Sequence, residues 1–210
     1  MGTFTDFLAT LRPPLLSEEE AEVMEREREQ WRLDQRQAAI DRQIARLSPR
    51  HVGYARELEA GAHESSPTWK QLSRALQEDP GASLLICGPT GVGKTTAAVR
   101  EALRRAGEGW TVLHLSAARF DAIARADEAR EEAESVDLLI LDQLHRLPDF
   151  PSWIATPIRE LVDSRYERHR QTIGLFTGTA PEAAAALKSD VVERLGAVLQ
   201  VGGVSYRRTW

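Results

Sequence analysis

The run Gly88-Pro89-Thr90-Gly91-Val92-Gly93-Lys94-Thr95 constrains this chain more than any other stretch. It satisfies G-x-x-x-x-G-K-[ST] at every fixed position. Just before it stands an apolar run of strand character, Ser83-Leu84-Leu85-Ile86-Cys87. Just after it comes a helix-forming run, Thr96-Ala97-Ala98-Val99-Arg100-Glu101-Ala102-Leu103. A strand that breaks into a glycine-rich loop and then a helix is a cradle for phosphate. Glycines let backbone N–H groups turn inward with no Cβ in the way. The helix adds free N–H groups and the positive end of its dipole. In that geometry Lys94 reaches the β and γ phosphates, and the Thr95 hydroxyl is a ligand for Mg²⁺. Gly88 through Thr96 is therefore the expected nucleotide-binding set, with ATP and Mg²⁺ as the expected cofactors.

From Gly81 onward, short apolar runs alternate with helical stretches. The runs 83–87, 111–116, 137–142, 172–176 and 197–201 are predicted strands. The gaps between them are long enough for helical crossovers, which predicts an α/β fold with a parallel sheet. A phosphate loop also needs a carboxylate at the end of another strand to hold the metal. Val136-Asp137-Leu138-Leu139-Ile140-Leu141-Asp142 supplies Asp142, while Asp137 opens the strand as a turn residue. Gln143 follows, at the position where an acid usually orients and deprotonates the attacking water. Glutamine orients water but accepts no proton at neutral pH. His145 is close by and reads as a loop histidine. Cys87 reads as a small core residue of the first strand.

The amino-terminal part differs in kind. Pro13-Pro14 stops any short helix through Phe4, Phe7, Leu8 and Leu11. Ser17-Glu18-Glu19-Glu20 reads as a capping box opening a helix that runs to about Leu47, since no Gly or Pro interrupts it before Pro49. Leu33, Ile40, Ile44 and Leu47 form a stripe along it. Residues 48–66 read as a connection, and Thr68 to Gln77 as a second helix. The expected organisation is a helical partner-docking region over 1–47, a linker over 48–66 and a nucleotide-binding domain over 67–210.

Composition removes several classes. A single cysteine excludes a disulfide framework and a cysteine-based zinc finger, and suggests a reducing cytoplasm. A net charge of -5 excludes a bulk polycation that coats nucleic acid. A local basic groove stays open, because 24 of the 27 positive residues are arginine. No apolar run is long enough to span a membrane. The start, MGTFTDFLATLRPP, lacks the basic and apolar regions of a secretory signal.

Five passages, taken in order between Ser48 and Arg207, resemble the DnaC/IstB-like branch of the AAA+ ATPases, relatives of the initiator DnaA. They are GPTGVGKTTAA, TVLHLSAARFDAI, DLLILDQLHR, the pair Ile158–Arg168 and Thr172–Pro181, and the pair Val191–Leu195 and Ser205-Tyr206-Arg207. The resemblance implies an ASCE-type P-loop fold with a parallel sheet flanked by helices, an N-terminal helical arm and, because the chain ends soon after Arg207, no helical lid domain. It implies that Thr179, or Thr177, stands where the family has its γ-phosphate-sensing asparagine. It aligns Arg194 with the arginine that reaches into a neighbouring subunit's ATP site, where a planar cation stabilises phosphoryl charge in trans. Arg165 is either a structural pair or a second contact. Two departures bear on catalysis: Gln143 replaces the second acid, and Thr179 replaces the asparagine.

The expected function is ATP-dependent loading or regulation of a replicative DNA helicase. The 1–47 region would grip the helicase. The core would form a homo-oligomer in the ATP state, bind single-stranded DNA and hydrolyse ATP slowly. The alternatives are an IstB-like transposition helper on duplex DNA and a non-hydrolysing, ATP-bound scaffold or helicase inhibitor. A small-molecule kinase, suggested by the loop alone, fits the later motifs poorly. No membrane partner is expected.

Overall fold

A computed structural model describes residues 18–60 and 67–202 of the chain. It divides into two units, residues 1–39 and 40–210. The proposed cap at Ser17 and the terminal Ser205-Tyr206-Arg207 lie outside the described residues.

In the first unit the described residues are helical throughout and belong to α1 (Glu18–Ile44). Glu, Arg, Gln and Ala dominate it, all strong helix formers. Pairs four apart support it, as where Gln30 Nε2 donates to Asp34 Oδ1 at 2.8 Å. Val23, Met24, Trp31 and Leu33 are exposed on it.

The second unit is an α/β fold around a five-stranded, all-parallel sheet. Its strands are β1 (Leu84–Gly88), β2 (Val112–Ser116), β3 (Leu138–Asp142), β4 (Gln171–Thr177) and β5 (Ala197–Gln200), in the order β2-β3-β4-β1-β5. Helices α2 (Pro49–Glu59) and α3 (Pro67–Glu78) precede β1, and α4 (Lys94–Gly107) crosses from β1 to β2. Helices α5 (Phe120–Arg125) and α6 (Asp127–Ser135) lead to β3, and α7 (Ser152–Glu167) leads to β4. Short helices α8 (Ala180–Leu187) and α9 (Ser189–Arg194) lead to β5. All five predicted strands are present within a residue or two of their expected ends.

The strands read as continuous apolar runs because both faces are covered. Along β1 and β3 alternate residues enter opposite cores. Leu85, Cys87, Leu139 and Leu141 pack with Phe120, Ile158 and Leu161 of α5 and α7. Leu84, Ile86, Leu138 and Ile140 pack with Val52, Leu72, Ala98 and Ala102 of α2, α3 and α4.

The expected linker over 48–66 is corrected by α2. Pro49 suits the first helical turn, where its missing N–H costs nothing. Val52 and Ala55, three apart, are buried, so this helix is part of the core. The expected boundary at 47 also moves. Leu47 is buried, and Gln43 and Arg46 bond to β2, so the last turn of α1 and the residues after it belong to the second unit.

A polar network pins the amino-terminal rim of the sheet, opposite the loop end. Arg165, fully buried, donates to the carbonyls of Ala133, Val136 and Gln171 and to Thr172 Oγ1. It is a structural pin, which settles the two options left open for it. Beside it, the Asp137 carboxylate accepts from Thr111 N–H at 2.9 Å and Thr111 Oγ1 at 2.8 Å, and pairs with Arg170. Burial pushes the Asp137 carboxyl up, but these bonds outweigh it and hold it below the usual range. Its stabilisation is present above the unfolded carboxyl's pKa of about 4 and is lost as pH falls through the folded value. Urea denaturation across pH 2–6 is therefore expected to give a shallower acid limb for Asp137→Asn than for the unaltered chain.

Candidate nucleotide-binding site

The glycine-rich loop opens at the carboxyl end of β1, the end where open parallel sheets bind ligands. Its first glycine is dictated by packing. A Cβ on Gly88 would lie 2.4 Å from the Val201 carbonyl, and Val201 N donates to Cys87 O at 2.8 Å beside it. Gly91 and Gly93 adopt positive φ, 90° and 86°, which a side chain would strain. Pro89 and Thr90 are exposed, while Val92 is buried. Helix α4 begins at Lys94 with Gly93 at its cap position, so no side chain occupies its first N–H groups. Thr96 follows in its first turn.

Lys94 is 8% exposed, and its Nζ donates to the carbonyls of Gly88 and Pro89, both at 2.7 Å. It therefore bridges the two ends of the loop. Thr95 Oγ1 donates to Asp142 Oδ2 at 3.1 Å. The structure thus brings Lys94, Thr95 and Asp142 together from positions almost fifty residues apart in the chain.

Asp142 is held at both oxygens. Oδ1 accepts from Gln143 N–H at 2.7 Å, and Oδ2 accepts from Thr95 and lies 3.4 Å from His114 Nε2. Burial pushes this carboxyl up, but His114, Thr95 and the Gln143 N–H outweigh it, so the net shift is downward. Asp142 is ionised at neutral pH and available to a cation.

Three contributors carry no sequence signal. Thr68, buried at the start of α3, donates from Oγ1 to Val92 O at 2.7 Å and pins the loop. His114 comes from β2. His51, in α2, meets Ser48 Oγ at 2.8 Å through Nδ1. Burial lowers the His51 pKa, and it lies near enough to feel the charges of Asp142 and His114.

The remaining predicted residues are placed as follows. Gln143 is exposed, in the left-handed region at φ 63°. His145 sits in a short 3₁₀ turn, edge-on to Phe176, with Nδ1 buried and without a partner. Thr179 serves as a helix cap. Its hydroxyl forms a capping box with Glu182 that opens α8. Thr177 ends β4, paired with Gly88 at the start of the loop. Arg194, at the end of α9, contacts Asp163 Oδ1 at 2.9 Å and Asp190 at 3.7 Å within its own chain.

This donor set fits a nucleoside triphosphate with a hard divalent cation. A lysine and helix N–H groups face the loop's concavity, and hydroxyl and carboxylate oxygens stand together where such a cation takes its ligands.

No protein-family model and no curated protein matches the chain. Solved structures do. The chain is similar to a DnaC helicase loader at TM-score 0.53 and 20% identity, over 66% of this chain and 93% of that one. It is similar to DnaI at TM-score 0.54 and 18% identity, over 66% and 81%. It is similar to the replication initiator DnaA bound to AMPPCP and single-stranded DNA at TM-score 0.52 and 21% identity, over 66% of this chain but only 47% of that one. At these identities the likeness is one of fold. Over the matched residues the chain shares the fold of these three proteins. Among the described residues no helix is long and apolar enough to cross a membrane.

Proposed function

We propose that the chain is an ATP-dependent assembly factor of DNA replication that loads or regulates a replicative helicase. The observation that carries this reading is the Lys94–Thr95–Asp142 constellation, set in a fold shared with a helicase loader, DnaI and a DnaA bound to AMPPCP and single-stranded DNA. Lys94 leaves its loop carbonyls for the β and γ phosphates. Thr95 and Asp142 hold Mg²⁺, which when bound neutralises charge on the phosphates. Gln143 orients water. Arg194 of one subunit, released from Asp163, reaches the phosphates of the next, so the ATP state is a homo-oligomer. Aligned subunits then hold single-stranded DNA through local arginines, weakly and with strong salt dependence.

Lys94→Ala removes charged hydrogen bonds worth about 1.5–3 kcal/mol. Calorimetry is expected to give an ATP affinity lower by roughly tenfold or more. Equal affinity in both proteins would remove the nucleotide site. Helicase docking is tested by pull-down with the host's replicative helicase, using the full chain and a chain lacking residues 1–39. That deletion spares residues 40–47, which belong to the core unit. Undiminished capture by the shortened chain would rule out the arm as the docking element.

A further inference from the structure

His114 falls in the passage TVLHLSAARFDAI with no role assigned to it there, yet among the described residues it reaches the metal-holding carboxylate from a neighbouring strand. In the β2–β3 register it stands opposite Ile140, and Ser116 stands opposite Asp142. Alternate residues share a face, so His114, Ile140 and Asp142 project to the same side of the sheet. The imidazole, 9% exposed, spans that two-residue offset and sets Nε2 3.4 Å from Asp142 Oδ2. Only an Nε2 that carries hydrogen makes this a favourable contact with a carboxylate.

The backbone under the imidazole is also held. β2 is an edge strand, and edge N–H groups need partners. Val112 N donates to Gln43 Oε1 at 3.1 Å, and His114 N donates to Arg46 O at 3.3 Å. Arg46 in turn pairs with Glu132 at 2.6 Å. The end of α1 and the turn after it thus clamp the strand segment from which His114 reaches Asp142.

We infer that His114 is the positioning residue of the metal-holding carboxylate, its Nε2–H orienting Asp142 for a divalent cation while residues 43–46 hold the strand beneath it. The inference rests on the nucleotide-binding reading above. Thr95 is drawn to both the cation and Asp142, so its hold on Oδ2 changes with occupancy. His114 is anchored on the sheet, and its hold does not change. Groups that orient a metal ligand in this way typically contribute about 10–100-fold in metal affinity.

The test is a Mg²⁺ titration of AMPPCP binding, a measurement with no turnover. His114→Gln places an amide N–H near the position of the lost Nε2–H, and His114→Asn stops short of it. Both keep a planar polar side chain at the buried site, and circular dichroism checks the fold. His114→Asn is expected to raise the half-saturating Mg²⁺ concentration about 10–100-fold, with the Mg²⁺-free AMPPCP affinity retained. His114→Gln is expected to keep the unaltered protein's half-saturation. An unchanged half-saturation in His114→Asn overturns the role, as does an equal loss in both variants. A Mg²⁺-free affinity that falls by the same factor assigns His114 to packing and overturns it too. If the unaltered chain binds no AMPPCP with or without Mg²⁺, the nucleotide reading itself fails, and this inference with it.

Discussion

Arg165→Leu is expected to destabilise the protein by about 3 kcal/mol, read as a shift in the urea midpoint. The guanidinium is fully buried and bonds to carbonyls rather than to a carboxylate. Burial pushes its pKa down to about 9, so it is still charged at neutral pH. Its loss orphans the acceptors at Ala133, Val136 and Gln171, at roughly 1–3 kcal/mol each. Relief of the buried charge and the apolar area of leucine offset part of this. The remainder is a large share of the roughly 5–15 kcal/mol that stabilises an ordinary domain. Arg165→Lys is expected to recover only part of the loss, because one ammonium cannot reach the two loops that the planar fork joins. Nucleotide affinity of the folded variant is expected to be unchanged. A variant as stable as the unaltered chain, with weakened ATP binding, would make Arg165 a phosphate contact.

Arg165 acts through contacts that are distant along the chain. Its helix lay in a passage that carried the family resemblance, but its role depends on two segments, 133–137 and 171–172, that converge on it only in the folded sheet. The glycine loop and Asp142 were legible because their chemistry is local: a strand, a fixed spacing and a helix start in one case, and an acid ending an apolar run in the other. The five strands were legible because each is buried on both faces and so lacks polar interruption. Helix α2 was not, since only Val52 and Ala55 are fully buried in it, and its polar residues imitate a loop. Thr68 and His114 were missed for a different reason. Each acts on a partner more than twenty residues away, and no spacing rule encodes that. His51 bonds only three residues back, to Ser48, and comes near Asp142 only in the folded chain. Thr179 was named by resemblance to a family passage, with Thr177 as the alternative. In the fold Thr177 ends β4 beside Gly88 and Thr179 caps α8, and no residue spacing shows that difference.

Gln143→Glu is expected to raise the ATPase rate of the assembled protein, by up to the roughly 10²–10⁴-fold that general-base help supplies. Attack of water on the γ-phosphate needs metal, charge stabilisation, positioning and often a proton acceptor. On the proposed function Lys94, Thr95 and Asp142 would supply the metal and charge terms. Gln143 would supply positioning alone, and its backbone is committed to its place. It sits in the left-handed region at φ 63° with its N–H bonded to Asp142 Oδ1. A non-glycine residue there carries roughly 1–3 kcal/mol of strain, the kind that functional sites retain. A glutamate in the same backbone adds the missing acceptor without moving the metal carboxylate. On the proposed function the unaltered protein is expected to be a slow ATPase with a long-lived ATP state, suited to holding an assembly until a partner dismantles it. Arg194→Ala is expected to lower the rate only at concentrations where subunits associate, since within one chain Arg194 serves Asp163. Steady-state phosphate release across a protein-concentration series measures both effects. A rate already near about 1 s⁻¹, within the ordinary enzyme range, that Gln143→Glu does not raise would transfer the proton acceptor to His145. Burial, and then Lys94, lower the pKa of that imidazole, so it is neutral at pH 7 and able to take a proton. His145→Gln would then abolish the turnover that Gln143→Glu left unchanged.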